Sequence, residues 1–222
     1  STRVCISGLS GGFRLTGAGG GGGGGRIISL APYPTPTPTA PAAANAAASL
    51  NNAFFTSSRY GEDGARASIN MYLGVSRNDG VFSDGSLDAN VIIHEYTHGV
   101  SSRLVRQLYD NHQGRALGEG WSDFFGLEFT APEGAPAQGA YPVGEYLFQS
   151  FDTGIRTRPY STNLEINPLT YQSLGRVTTG PQVHADGEIW MEALWEMRAN
   201  LIRQFGEREG RRRTRLLVID GM

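Results

Sequence analysis

Two histidines stand four residues apart in His94-Glu95-Tyr96-Thr97-His98. An α-helix advances about 3.6 residues per turn, so both imidazoles would lie on one face, close enough to share a metal ion. Glu95 would sit about 100° around the helix, beside that ion rather than on it. This arrangement suits a zinc site with a carboxylate ready to take a proton from water. Two ligands do not complete it, because a catalytic zinc takes three from the protein and keeps a fourth position open. Gly118-Glu119-Gly120-Trp121-Ser122-Asp123 supplies a candidate third in Glu119. The interval after His98 leaves room for one helix to end and a second to return. Asp123 lies one turn beyond Glu119 on the same face. A carboxylate there can accept the outer N–H of a metal-bound imidazole and fix its tautomer.

Helices must carry these groups. Ser86-Leu87-Asp88 offers helix-start residues before the apolar run Val91-Ile92-Ile93. Gly99 need not end that helix, since Leu104, Val105 and Leu108 continue its spacing. Leu117 to Phe129 is a second helix, with Trp121, Phe124, Phe125 and Leu127 apolar. Glycine and proline then break the pattern up to about Gln182. Asp186 to Phe205 is the clearest amphipathic helix, and its stripe Ile189, Ala193, Leu194, Met197, Leu201, Ile202 and Phe205 is predicted to face the core. Asn52-Ala53-Phe54-Phe55 and the stretch Ser68 to Gly74 read as short strands, with turns at Asn78-Asp79-Gly80 and Ser83-Asp84-Gly85. Arg208, Arg211, Arg212, Arg213 and Arg215 read as a solvated helix end or loop. His112 reads as a loop histidine.

Composition narrows the class. The chain has 222 residues, with 19 basic against 21 acidic side chains and a net charge of −2, so neither nucleic acid nor an anionic membrane is indicated as a partner. Cys5 is the single cysteine, which rules out an internal disulfide. No apolar run is long enough to span a membrane. The first residue is serine and no signal peptide is visible, as in a fragment or a processed chain. Residues 1–49 include the glycine run Gly19 to Gly25 and the Pro-, Thr- and Ala-rich tract Pro32 to Ala48. Such sequence buries little for the entropy that ordering costs, so it is predicted to be a disordered arm ahead of a domain at 50–222.

Several motifs fall in order along that domain. HEYTHG is followed by GEGWSDF, then Gly154-Ile155-Arg156, Pro159-Tyr160-Ser161-Thr162, Asn167-Pro168-Leu169-Thr170-Tyr171, and Val183-His184-Ala185 before a Trp-rich helix. Over roughly Leu50 to Met222 the chain resembles the fungalysin family of zinc metalloendopeptidases, a thermolysin-like group. The resemblance implies an α+β, two-lobed zincin fold: a strand-bearing lobe, a central metal-binding helix and a mostly helical C-terminal lobe. It implies His94, His98 and Glu119 as ligands of one Zn2+, Glu95 as the catalytic carboxylate and Asp123 as the partner of a ligand histidine. It further implies His184 and Tyr109 as donors to the oxyanion, Arg156 as the holder of a substrate carbonyl, and Asn52 and Ala53 as part of an edge strand that binds substrate backbone. Family members are secreted and act on proteins or peptides; a monomer is expected.

Two further expectations follow. Asp79, Asp84 and Asp88 sit in a Gly-rich loop and offer the oxygens that Ca2+ takes, but their spacing fits no defined calcium motif and turn or capping roles suit them better. The chain stops at Val218-Ile219-Asp220-Gly221-Met222, where fungalysins continue, so a truncated C-terminal lobe is expected. The rival reading is a truncated, inactive zinc-binding relative.

Overall fold

The computed structural model describes residues 2–6, 15–17, 50–57, 67–76 and 79–222. Its architecture is α+β. Helix α1 spans Ala89–Leu104 and carries both histidines of the motif. Asp88 caps it from extended backbone, with one carboxylate oxygen accepting the Val91 N–H at 3.3 Å. The other oxygen accepts the Leu147 N–H at 3.1 Å, which ties the helix start to a helical turn far along the chain. As the spacing predicts, α1 runs through Gly99. A Cβ on Gly99 would lie 2.7 Å from the Phe55 ring, so glycine is what lets the helix approach the sheet.

Helix α2 spans His112–Thr130, and Asn111 caps it by accepting the Gly114 N–H at 2.8 Å. It begins five residues earlier than its apolar pattern indicates, and His112 is its first residue rather than a loop histidine. Trp121, Phe124, Phe125 and Leu127 are buried as expected. A single turn, α3, covers Glu145–Phe148. Helix α4 spans Val183–Phe205 and ends at Gly206, whose φ of 78° is open to glycine, before α5 at Glu207–Asp220. The arginine cluster therefore lies within a helix. Arg211 and Arg215 reach the fully buried Glu128 of α2, which also pairs with the buried Arg198 of α4.

The buried face of α4 differs from the apolar stripe. Glu188, Met191, Glu192, Trp195 and Arg198 are enclosed, while Ala193 and Phe205 are exposed. The three charged members are buried because each meets fixed partners. Glu188 accepts the Thr157 N–H and hydroxyl, Glu192 accepts the Ser161 N–H and the Asn167 amide, and Arg198 donates to Glu128.

Four strands make one antiparallel sheet in the order β2-β1-β4-β3: β1 Thr2–Ile6, β2 Leu15–Gly17, β3 Ala53–Ser57 and β4 Ala67–Met71. Two shorter strands, β5 Leu73–Val75 and β6 Phe82–Asp84, pair separately. In the arm predicted to be disordered, the described residues are those of β1 and β2; the glycine run and the Pro-rich tract lie outside the described residues. Because β3 pairs only with β4, its other edge is free of strand partners in the described sheet. Two apolar clusters result. Phe55, Ile69, Met71, Val91 and Leu147 pack between sheet and α1, and Trp121, Phe124, Tyr160, Met191, Trp195 and Val218 pack among α2, α4 and α5. Each large apolar side chain so enclosed contributes about 1.5–3 kcal/mol. The metal-ligand candidates lie between the clusters.

Candidate metal centre

On α1, His94 and His98 turn the same ring atoms toward one point, with their Nε2 atoms 3.1 Å apart. The carboxylate of Glu119, from α2, meets them there. Its Oε2 is 3.3 Å from His94 Nε2 and its Oε1 is 3.7 Å from His98 Nε2. Ligand atoms of all three lie within 4.8 Å of one another, and among the described residues they are the group able to hold a metal. Four ligands placed tetrahedrally around zinc at bonds of ~2.1 Å stand about 3.4 Å from one another. The three separations bracket that figure. Glu119 Oε2 is buried and makes no hydrogen bond of good geometry. A buried carboxylate oxygen without a donor is costly unless a cation meets it. Two imidazoles and a carboxylate form a borderline-hard donor set that suits zinc.

The outer nitrogens of both imidazoles are engaged. His94 Nδ1 bonds Asp123 Oδ1 at 2.7 Å, and His98 Nδ1 lies 3.3 Å from the Tyr109 hydroxyl. Asp123 is itself held by Arg156, whose Nε and Nη2 donate to its two oxygens at 2.6 and 2.7 Å, and by the Tyr160 hydroxyl at 2.5 Å. Arg156 thus lies buried with its fork on Asp123, and its Nη2 is 3.7 Å from Glu119. His184, at the start of α4, brings its Nε2 to 3.5 Å from Glu119 Oε2. Close contact of two glycines makes that approach feasible. A Cβ on Gly187 would stand 2.7 Å from Glu119 Cβ, and a Cβ on Gly120 would stand 2.6 Å from the Gly187 carbonyl oxygen. Asn52 directly precedes β3 and Ala53 is its first residue, on the edge next to α1 that has no strand partner among the described residues.

The sequence matches, over residues 39–222, the family described as fungalysin metallopeptidase (M36). The chain belongs to the fungalysin family. An extracellular metalloproteinase mep of Aspergillus terreus is 35% identical over 193 residues, which cover 79% of this chain and 29% of that protein. An extracellular metalloproteinase of Pyrenophora tritici-repentis is 36% identical over 165 residues, 72% of this chain and 24% of that protein. The extracellular metalloproteinase NpIII of Aspergillus oryzae is 35% identical over 175 residues, 75% and 26%. The chain therefore spans under a third of the length of these relatives.

Charge is distributed unevenly across this fungalysin centre. Burial lowers the proton affinity of His98, and His94 and His184 add to that, to about 4. The ring is thus a neutral base with a lone pair to give. His94 also pays for burial, but Asp123 and Glu119 outweigh it and raise its value to about 10. Burial pushes the Glu119 carboxyl up, yet His98, His94 and His184 together hold it below the usual carboxylate range. Asp123 is likewise held low against burial by Arg156 and His94. Glu95 goes the other way. Burial, with Glu119 adding, raises it to about 7 against His94, the Phe55 N–H and Arg156. A carboxyl near neutrality is well matched to exchanging protons with water.

Three contributing residues carry no assigned role in the sequence reading. Tyr160 stands in the Pro159-Tyr160-Ser161-Thr162 motif, and that motif is the signal available for it. Gln182 immediately precedes Val183-His184-Ala185 and caps α4. His112 donates across to Asp186, in the first turn of α4, at 2.7 Å. Asp79, Asp84 and Asp88 each turn an oxygen to a local backbone N–H, that of Val81, Ser86 and Val91 respectively. Among the described residues, no helix is long and apolar enough to cross a membrane.

Proposed function

We propose that this chain carries the active site of a secreted zinc endopeptidase with the two-lobed zincin fold, cleaving extended protein or peptide substrates. The observation that carries this reading is the convergence of His94, His98 and Glu119 on one point, with Glu119 Oε2 buried and without a hydrogen bond. The extracellular metalloproteinase names of its relatives support both the reaction and the location. Zinc bound there would polarise the scissile carbonyl and acidify the attacking water. Zinc is the metal proposed; Asp79, Asp84 and Asp88 each turn at least one oxygen to a backbone N–H group.

The chain's own residues would perform the rest. Glu95 takes the proton of the attacking water and delivers it to the leaving amine. His184 donates from Nε2 to the oxygen on which negative charge develops. Tyr109 orients His98 through the outer ring nitrogen, and Asp123 does the same for His94. The hydroxyl of Tyr109 can turn to a second partner, so a donor role remains part of the proposal. Arg156 faces the site from behind Asp123, where its charge draws a substrate carbonyl. The Phe55 N–H points away from β4 to Glu95. By the alternation of an antiparallel strand, Ala53 turns its polar groups to the same free edge. A peptide pairing there with Asn52 and Ala53 would lie alongside Glu95.

Metal analysis and a peptidase assay test this reading. One zinc per chain is expected. Glu95→Gln should keep the zinc and lose about 100- to 10,000-fold in rate. His94→Ala and Glu119→Ala should each lose the metal. Zinc retained in both variants would sink the ligand assignment.

A further inference from the structure

Gln182 caps α4 with its side chain. Its Oε1 accepts the Ala185 N–H at 2.7 Å. A backbone N–H can only donate, so this contact settles which end of the amide is oxygen. The other end, Nε2, then has only protons to offer, and it lies 2.8 Å from His184 Nδ1. A neutral imidazole facing a donor must present its lone pair there. Its proton therefore sits on Nε2, the atom 3.5 Å from Glu119 Oε2. A carboxylate oxygen accepts only, so both neighbours of the ring favour the same tautomer.

The backbone of Gln182 is braced as well. Its N–H reaches Asp186 Oδ2 at 3.3 Å and its carbonyl accepts the Asp186 N–H at 2.8 Å. Asp186 is fixed in turn by His112 Nε2 and by the Gly175 N–H, each at 2.7 Å. The amide is thus held by a framework on α2 and α4, although both Gln182 and His184 are open to solvent.

We propose that Gln182 is a positioning residue that sets the tautomer of His184, keeping its proton on Nε2 and aimed into the metal centre. The inference rests on the reading of His184 as a hydrogen-bond donor to the developing oxyanion. A ring with its proton on Nδ1 would present a lone pair to that charge and could not stabilise it.

The test is 15N NMR of the zinc-loaded protein with labelled histidine, taking as His184 the signals missing in His184→Ala. The wild type should show Nε2 protonated and Nδ1 bearing the lone pair. Gln182→Glu keeps a cap oxygen for Ala185 but offers Nδ1 an acceptor, so at a pH that keeps the ring neutral the proton should move to Nδ1. The same variant should lose about tenfold or more in kcat with KM changed less than about threefold, the pattern of an interaction made only in the transition state. Gln182→Ser keeps a good cap but cannot reach the ring, and should give a mixture of tautomers with a smaller loss. A purely structural role for the cap would leave both variants with the wild-type tautomer. A proton on Nδ1 in the wild type, or no change of tautomer in Gln182→Glu, would overturn the proposal. Failure of the underlying reading looks different: His184→Ala would then cleave at the wild-type rate while the tautomer shift persisted.

Discussion

Asp123 receives four hydrogen bonds on two oxygens, and only one of them comes from a metal-ligand candidate. The other three fix where that carboxylate stands. Arg156 supplies charge, and Tyr160, wholly buried, supplies a hydroxyl that donates to Asp123. Tyr160→Phe removes one donor and leaves the Arg156 clamp in place. We expect a loss of about 1–2 kcal/mol in stability, as for a buried hydrogen bond. Zinc affinity should fall as well, by up to about tenfold, since outer partners of a ligand typically matter by 10- to 100-fold and this one acts through Asp123. Thermal melts and chelator competition measure the two, and wild-type values in both would show that Tyr160 only fills space. The ligand candidates are legible in the sequence because i, i+4 spacing is a local property of a helix, and this holds for the His94/His98 pair and for Glu119 with Asp123. Tyr160 and Gln182 are not legible in the same way. Their partners are fixed by where a loop crosses a helix, which no spacing encodes.

Elements are held at the right distance by absent side chains as much as by present ones. Gly120 and Gly187 let α2 and α4 touch backbone to backbone, and that contact brings His184 to Glu119. Gly187→Ala sets two effects against each other. Alanine favours a helix interior over glycine by about 0.8–1 kcal/mol. The added methyl, however, would meet Glu119 Cβ and the Ala116 carbonyl at 2.7 Å. Overpacking against backbone typically costs about 1–3 kcal/mol, so steric cost should win. The variant should melt lower and lose peptidase rate, with His184 pushed from the centre. A variant more stable than wild type would show that the helices part without penalty. Helices α1, α2 and α4 are readable from start signals and apolar spacing, to within a few residues. The face of α4 is not, because four of its enclosed side chains, Asp186, Glu188, Glu192 and Arg198, are charged and their partners lie elsewhere in the chain. Nor is α5, whose arginines look like solvent-facing residues until Glu128 is seen beneath them.

Buried carboxylates also set how the whole molecule answers to pH, and two kinds oppose each other. Glu119 and Asp123 are held below the usual carboxylate range, so their contribution is present at neutral pH and fades in acid. Glu192 behaves oppositely. Burial, with Glu196 and Glu188 adding, raises it from 4.5 to about 8. The folded state therefore holds this proton more tightly than the unfolded chain does. Its contribution is complete below about pH 4.5 and is lost as pH rises through about 8. The carboxyl ties the loop carrying Ser161 and Asn167 to α4, in a region continuous with Tyr160 and hence with Asp123. Glu192→Gln keeps an oxygen for both donors and cannot ionise. At pH 8.5 the variant should be more stable than wild type by on the order of 2 kcal/mol, and at pH 4.5 the two should agree within about 1 kcal/mol. Denaturant unfolding at a series of pH values reads this directly. Parallel stability curves across that range would mean that Glu192 ionises like an exposed carboxylate in the folded protein.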